Sequence, residues 1–273
     1  MTQAEIAIIG GSGLYDVDMI ENAEEKKIIT PFGPPSDAVM VGTYKGKGVA
    51  FLSRHGRGHR FTPATVNYRA NIWALKQLGV KAIFASNASG SLQELYKPGE
   101  LVLVDQFIDR TKSRPSSFYG GKEAAHLKAH GLDKVCHISS ADPFCLELRS
   151  HLAKVSKQLG LPVHTKGTYV CIEGPRFSTR AESKMFRMWG GDVIGMTVFP
   201  ECVLAREAGI CYASVALVTD YDVWAEKAVE NIDVIRTMKE NVHKVKQLFA
   251  VAIEEMPAER KCGCAEATKN AFM

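Results

Sequence analysis

The chain predicts an α/β protein in which helices cover both sides of one sheet, on three observations. Apolar runs recur that end in Gly, Ser, Asn or Asp. Helical patterns fall between them. The runs are rich in β-branched and aromatic residues and lack strict alternation. Runs of that kind suit strands buried on both faces, and strands alternating with helices argue for a layered α/β architecture.

In chain order, the predicted strands are EIAIIGGSG (5–13), GVAFLSRHG (48–56), KAIFASNASG (81–90), ELVLVDQF (100–107), DVIGMT (192–197) and CYASVALVTD (211–220). Helices are predicted over Ala64–Gly79, Phe144–Gly160, Ser178–Gly190 and Asn231–Glu255. Several close on glycine, as helix C-termini often do. The long irregular region 109–142 is polar and rich in Gly, Ser and His; a loop of that length is usually functional or disordered. No internal repeat or low-complexity linker is visible. The reading is one domain over 1–257 with a frayed tail over 258–273.

Composition narrows the function. A hydrophobic share of 46% and a charged share of 23% over 273 residues match a soluble globular protein. A net charge of +4 on 34 basic and 30 acidic residues is too balanced to argue for nucleic acid. No apolar run approaches the ~20 residues that span a bilayer, and the N-terminus shows no basic n-region of a signal peptide. The seven cysteines, an odd number scattered through apolar segments, fit reduced thiols in the cytoplasm. Cys262-Gly-Cys264 reads either as exposed tail thiols or as a functional pair. A zinc site is disfavoured, and no metal is expected, because no second Cys or His pair sits nearby at metal-ligand spacing.

Chemistry concentrates at the strand ends, where open α/β sheets bind ligands. IIGGSGLYD (8–16) is a Gly-rich turn that is either a tight turn or an anion cradle; its spacing fails the dinucleotide fingerprint. SRHGRGHRFTP (53–63) brings Arg54 and His55 to the end of a strand, and a guanidinium fork matches phosphate oxygens. ASNASGSL (85–92) adds hydroxyl and amide groups. Ser12, Arg54, His55, Asn87 and the Ala88 N–H together would make a phosphate-sized pocket. EGPRFSTRAE (173–182) and MTVFPE (196–201) follow. Last comes LVTDYDVW (217–224), where Asp220 and Asp222 end a buried run. On an extended chain i and i+2 point the same way, so both acids are expected to aim at one object.

GGSGLYD, RHGRGHRFTPATVNYRANIWALK, PGELVLVDQFIDRT, EGPRFSTRAE and MTVFPECVLAREAGICYASVALVTDYD together resemble the methylthioadenosine phosphorylase branch of the trimeric purine nucleoside phosphorylases, from about Ile6 to about Glu255. The resemblance implies a single-domain α/β/α phosphorylase-type fold with a central mixed β-sheet. It implies phosphorolysis of a purine nucleoside, with inorganic phosphate as co-substrate and no cofactor. Ser12, Arg54, His55, Asn87, Ala88 and Thr197 match phosphate-site positions. Met196 matches the residue beneath the ribose, and Phe177 flanks the base. Asp220 and Asp222 match the pair that reads an adenine edge and supplies the N7 proton. His137 matches a residue that arrives at the 5′ side from a neighbouring subunit of a homotrimer or dimer of trimers, and Val234 and Ile235 match the apolar 5′ wall.

The 6-oxopurine branch of the family carries Glu where this chain has Ser178 and Asn where it has Asp220, so the resemblance implies a 6-aminopurine. Departures are Ser12 and Asn87, where relatives often have Thr, and a two-residue deletion after Asp222. In some heat-adapted relatives a Cys-x-Cys near the C-terminus forms a disulfide. Three rival readings remain: a 6-oxopurine or broad-specificity phosphorylase (acting, for example, on methylthioinosine), a hydrolytic nucleosidase, and a Rossmann-type nucleotide-binding protein.

Overall fold

The computed structural model describes residues 4–14, 19–122, 124–225 and 231–273, with the side chains of 231–235 outside that description. Its strands are β1 (Ile6–Gly10), β2 (Glu21–Lys26), β3 (Val39–Tyr44), β4 (Lys47–Ser53), β5 (Ala82–Ser91), β6 (Leu101–Leu103), β7 (Gln106–Arg110), β8 (Val163–His164), β9 (Thr168–Ile172), β10 (Val193–Gly195) and β11 (Cys211–Asp220). The helices are α1 (Tyr68–Gln77), α2 (Leu146–Gln158), α3 (Arg180–Met188), α4 (Val198–Glu207) and α5 (Asn231–Glu254). All strands join one mixed sheet. No helix among the described residues is long and apolar enough to cross a membrane.

The unbroken apolar runs behave as double-sided strands. In β1, Ile6 and Ile8 face the core shared with α2 and α5, whereas Ala7 and Ile9 face the core shared with α1 and α4. β4, β5 and β11 divide their residues in the same way, so the period of two survives inside an all-apolar sequence. A third, smaller core joins α3 to β9 and β10 through Phe186, Val170, Ile194 and Leu92.

The sheet forks at β5. β1 pairs with it only over Ala82–Ala85, while β10 pairs antiparallel with Gly90 and Ser91. β11 runs parallel along the other edge from Ala82 to Gly90. Residues 86–89 therefore have a strand on one side and a gap on the other. The carboxyl ends of β1 and β4 open on that gap, and β11, on the other edge of β5, reaches the same region at Asp220.

Two expectations need correction and one is refined. ELVLVDQF is two strands, not one: β6 pairs with β11 and β7 with β9, on different branches of the fork. Segment 109–142 lacks long regular elements, yet Phe118, Leu127 and Leu132 are buried in the core. The tail after Pro257 is docked rather than frayed. His137 N–H donates to Ala271 O at 2.7 Å, Cys136 bridges Phe272, and Cys264 is buried.

Candidate functional site

The gap opens into a cavity of about 550 Å³, within the usual size of small-molecule sites. Its lining includes Ser12, Arg54, His55, Asn87, Ala88, Phe177, Ser178, Met196, Thr197, Asp220 and Asp222. His137 does not line it; that residue is exposed beside the docked tail. Val234 and Ile235 lie on α5, but their side chains fall outside the described residues. Met238 and Lys239, one turn further along α5, do line the cavity.

At one end stands Arg54, fully buried. Its Nε and Nη2 donate to the two oxygens of Glu201 at 2.7 and 2.6 Å, and its Nη1 donates to Ser86 O at 2.8 Å. Tyr212 also donates to Glu201, at 2.7 Å. Burial alone would push the guanidinium down, but Glu201 overrides it and holds Arg54 above its ordinary range. A guanidinium has five N–H donors. Three are engaged among the described residues, so what Arg54 offers the cavity is two remaining donors from a neutralised pair. Glu201 is a residue that sequence reasoning missed. A lone acid inside the apolar stretch VFPECVLA was the available signal, because a buried charge needs a partner.

The turn after β1 is shaped by this pair. A Cβ on Gly11 would stand 2.5 Å from Ser86 O and 3.0 Å from Arg54 Nη1, so only glycine lets the Ser12 turn approach the guanidinium. Ser86 O faces the gap, and backbone groups two residues apart on a strand face alike. The Ala88 N–H therefore faces it too.

Neighbouring groups are aimed by hydrogen bonds. Ser214 donates to Asn87 Oδ1 at 2.6 Å, and Asn87 Nδ2 donates to Thr197 Oγ1 at 2.6 Å. With its oxygen accepting from Asn87, the Thr197 hydroxyl is free to donate its own hydrogen. Burial, and then the Arg54 charge, push the His55 imidazole down to about 4. His55 is thus neutral near pH 7. Nδ1 lies 2.8 Å from Phe61 O and must be the protonated nitrogen, because a carbonyl only accepts. Nε2 is then an acceptor. The ring stacks on His59 with centroids 4.5 Å apart.

The far end holds the acids, and they converge differently from the sequence expectation. β11 carries a bulge between Val218 and Asp220 and ends there. Asp222 then adopts a left-handed φ of 49°, a conformation Asp tolerates better than most residues. Its N–H folds back to donate to Asp220 Oδ1 at 2.8 Å. The pair meets through a turn, not through extended i, i+2 alternation. Gly90 makes room, since a Cβ there would lie 3.0 Å from Asp220 Oδ1 and 3.3 Å from the Asp222 Cβ.

The two acids are not equivalent. Asp220 also accepts from the Thr219 hydroxyl at 2.7 Å, so both its oxygens have partners. Asp222 is buried, and its Oδ2 has no hydrogen-bond partner among the described residues. Burial pushes its carboxyl up; the neighbouring Ser183 hydroxyl and Val223 N–H oppose this, and the Asp220 charge adds to it. Ser183 is close enough to ease Asp222 without meeting full hydrogen-bond geometry. The Ser178 hydroxyl is likewise buried and unpartnered.

Ser178 is set in place by the residue after it. Thr179 and Glu182 form a capping box at the start of α3, and Arg176 pairs with Glu182 at 2.7 Å. Phe177 stands exposed on the rim. Arg114, also missed in the sequence, clips the adjoining loops together. It donates to Met196 O at 2.6 Å, Phe199 O at 2.8 Å and Glu173 O at 2.7 Å. That gives the irregular 109–142 segment a role in positioning Met196.

Comparison with known proteins bears on this geometry. The Phosphorylase superfamily profile matches residues 5–254. The S-methyl-5'-thioadenosine phosphorylase of Pyrococcus abyssi is 56% identical, covering 98% of this chain and 99% of its own. The crystal structure of a methylthioadenosine phosphorylase from an antarctic soil metagenomic library superposes with a TM-score of 0.90 at 45% identity, over 100% of this chain and 93% of that one. A methylthioadenosine phosphorylase from Schistosoma mansoni, solved in complex with adenine, gives a TM-score of 0.90 at 39% identity, over 98% and 96% of the two chains.

Proposed function

The chain belongs to the phosphorylase superfamily, and we propose that it cleaves 5′-methylthioadenosine with inorganic phosphate, releasing adenine and 5-methylthioribose 1-phosphate. The observation that carries this reading is one cavity with a donor-rich end at Arg54 and an acid pair at the other.

Phosphate sits among the Ser12 turn, the spare Arg54 donors, the Ala88 N–H and the Thr197 hydroxyl. Neutral His55, with Nε2 as acceptor, accepts a hydrogen bond from a P–OH or a ribose hydroxyl. A phosphate oxygen attacks C1′ as the C1′–N9 bond breaks, and the bonding electrons leave with the purine. Proton transfer to N7 keeps the leaving group neutral. Asp220 accepts from the 6-amino group. Asp222, pushed up by burial, helps the pair retain the proton that N7 needs. Met196 lies beneath the ribose, Phe177 covers the base from the rim, and Ser178 reads the purine edge. The 5′-methylthio group points toward α5, where Met238 supplies apolar wall. The protein acts as a homotrimer or dimer of trimers, in which exposed His137 reaches the neighbour's 5′ pocket.

The rival substrate is a 6-oxopurine nucleoside. The acid pair argues against it, because a 6-oxo group has no hydrogen to give and would face carboxylate oxygen. Parallel kcat/KM values for methylthioadenosine and methylthioinosine test the reading. A strong preference for the 6-amino compound is expected; parity or reversal would refute it.

A further inference from the structure

We propose that Cys145, Cys211, Cys262 and Cys264 form a closed tetrathiolate site for a divalent zinc ion, which staples the C-terminal segment to the sheet. Local spacing offered Cys262-Gly-Cys264 no second pair, and on that ground the sequence disfavoured a metal. The fold supplies the pair from 51 and 117 residues upstream of Cys262 (262 − 211 and 262 − 145). All four Sγ atoms lie within 4.8 Å of one another. Zinc–sulfur bonds of about 2.3 Å in a tetrahedron put the sulfurs about 3.8 Å apart. Closure on the ion therefore asks for movements of about 1 Å or less.

The ligands are held from separate elements before any ion arrives. Cys145 caps the start of α2, where the Leu148 N–H points at its sulfur from 3.5 Å. Its own N–H donates to Tyr212 O at 3.0 Å, which fixes it beside Cys211 at the start of β11. The Glu147 carboxylate accepts from the N–H groups of Lys261 and Cys262, at 3.0 and 2.9 Å, and so fixes the approach of the Cys-Gly-Cys segment. Arg260 Nη1 lies 3.3 Å from the Cys211 sulfur. N–H donors to sulfur favour thiolate over thiol, and second-shell groups of this kind tune metal sites. Binding exchanges four thiol protons for one divalent ion. The resulting site carries two negative charges, which Arg260 partly offsets. Four protein ligands leave no open position, so the role is structural. Asp220 lies nine positions along β11 from Cys211, about 30 Å at strand rise, which keeps the ion out of the chemistry.

The test uses the full chain, purified under reducing conditions and given zinc or cobalt(II), then freed of excess ion. One equivalent per chain is expected, and the cobalt form should show thiolate-to-metal charge transfer with tetrahedral ligand-field bands. The double variant Cys262→Ser, Cys264→Ser should lose the ion and heat resistance while keeping turnover at moderate temperature. The cobalt spectrum of the unaltered chain decides the matter even if a variant fails to fold. A reduced chain that takes up no metal, an octahedral oxygen-type cobalt spectrum, or a native mass lighter by four hydrogens (two disulfides) would overturn the proposal.

Discussion

At the Arg54 end of the cavity the key side chains are spoken for. Arg54 is forked onto Glu201, His55 is locked to Phe61 O, and Asn87 bridges Ser214 and Thr197. At the Asp222 end, by contrast, Asp222 Oδ2 and Ser178 Oγ are buried without partners among the described residues. The difference teaches how one cavity handles two ligands. An anion that every turnover requires is met by a rigid frame offering a few aimed donors. A base that must be chosen among similar purines is met by atoms that stay unsatisfied until the right edge arrives. Sites built to hydrogen-bond a specific group reject analogues through the buried atoms left unpaired.

The largest effect should come from altering the acid pair. Asp220→Asn should lower turnover of methylthioadenosine by about 10²–10⁴, because it removes the carboxylate that accepts from the 6-amino group and half of the pair that holds the N7 proton. Methylthioinosine should lose much less, because an amide can donate to a 6-oxo group. If the ratio of the two kcat/KM values does not move, the base is read elsewhere.

Glu201→Gln probes the satisfied end. It leaves Arg54 buried without a counter-charge, and breaking a buried pair from one side costs about 3–5 kcal/mol. Denaturant unfolding should show a loss of that order, and the KM for phosphate should rise far more than that for the nucleoside. Equal changes in both KM values would mean that the pair does not aim Arg54 at phosphate.

Much of this contrast was legible in the sequence, and the limits are physical. Strand-end motifs placed nearly every cavity residue, because in a parallel core the carboxyl ends of strands gather on one edge. Partners that arrive from far along the chain were not legible: Glu201 stands 147 positions after Arg54, and Arg114 sits inside a segment with no periodicity. The edge strand β2, ENAEEK, is exposed and polar, so no apolar pattern announced it. The convergence of the acids depends on a bulge and a left-handed residue, neither of which period-two reasoning contains.

A smaller effect sharpens the comparison from the other side. Ser178→Ala removes an unpaired buried hydroxyl, so the free protein should gain about 1 kcal/mol while nucleoside binding weakens by a similar amount. A loss of stability would show that Ser178 is already satisfied in the free state.

The smallest expected effect is an absence of titration. With His55 held down at about 4, phosphate KM should show no histidine inflection near pH 6.5. The stability that neutral His55 contributes is present above its unfolded value of about 6.5 and lost as pH falls from there toward 4. An inflection of phosphate KM near 6.5, removed in His55→Asn, would contradict the neutral assignment.

The most direct test of the whole account is to incubate the protein with methylthioadenosine, with and without inorganic phosphate, and follow adenine together with the sugar product. Adenine should appear only with phosphate and in step with a pentose 1-phosphate. Adenine released equally without phosphate, accompanied by free methylthioribose, would contradict it.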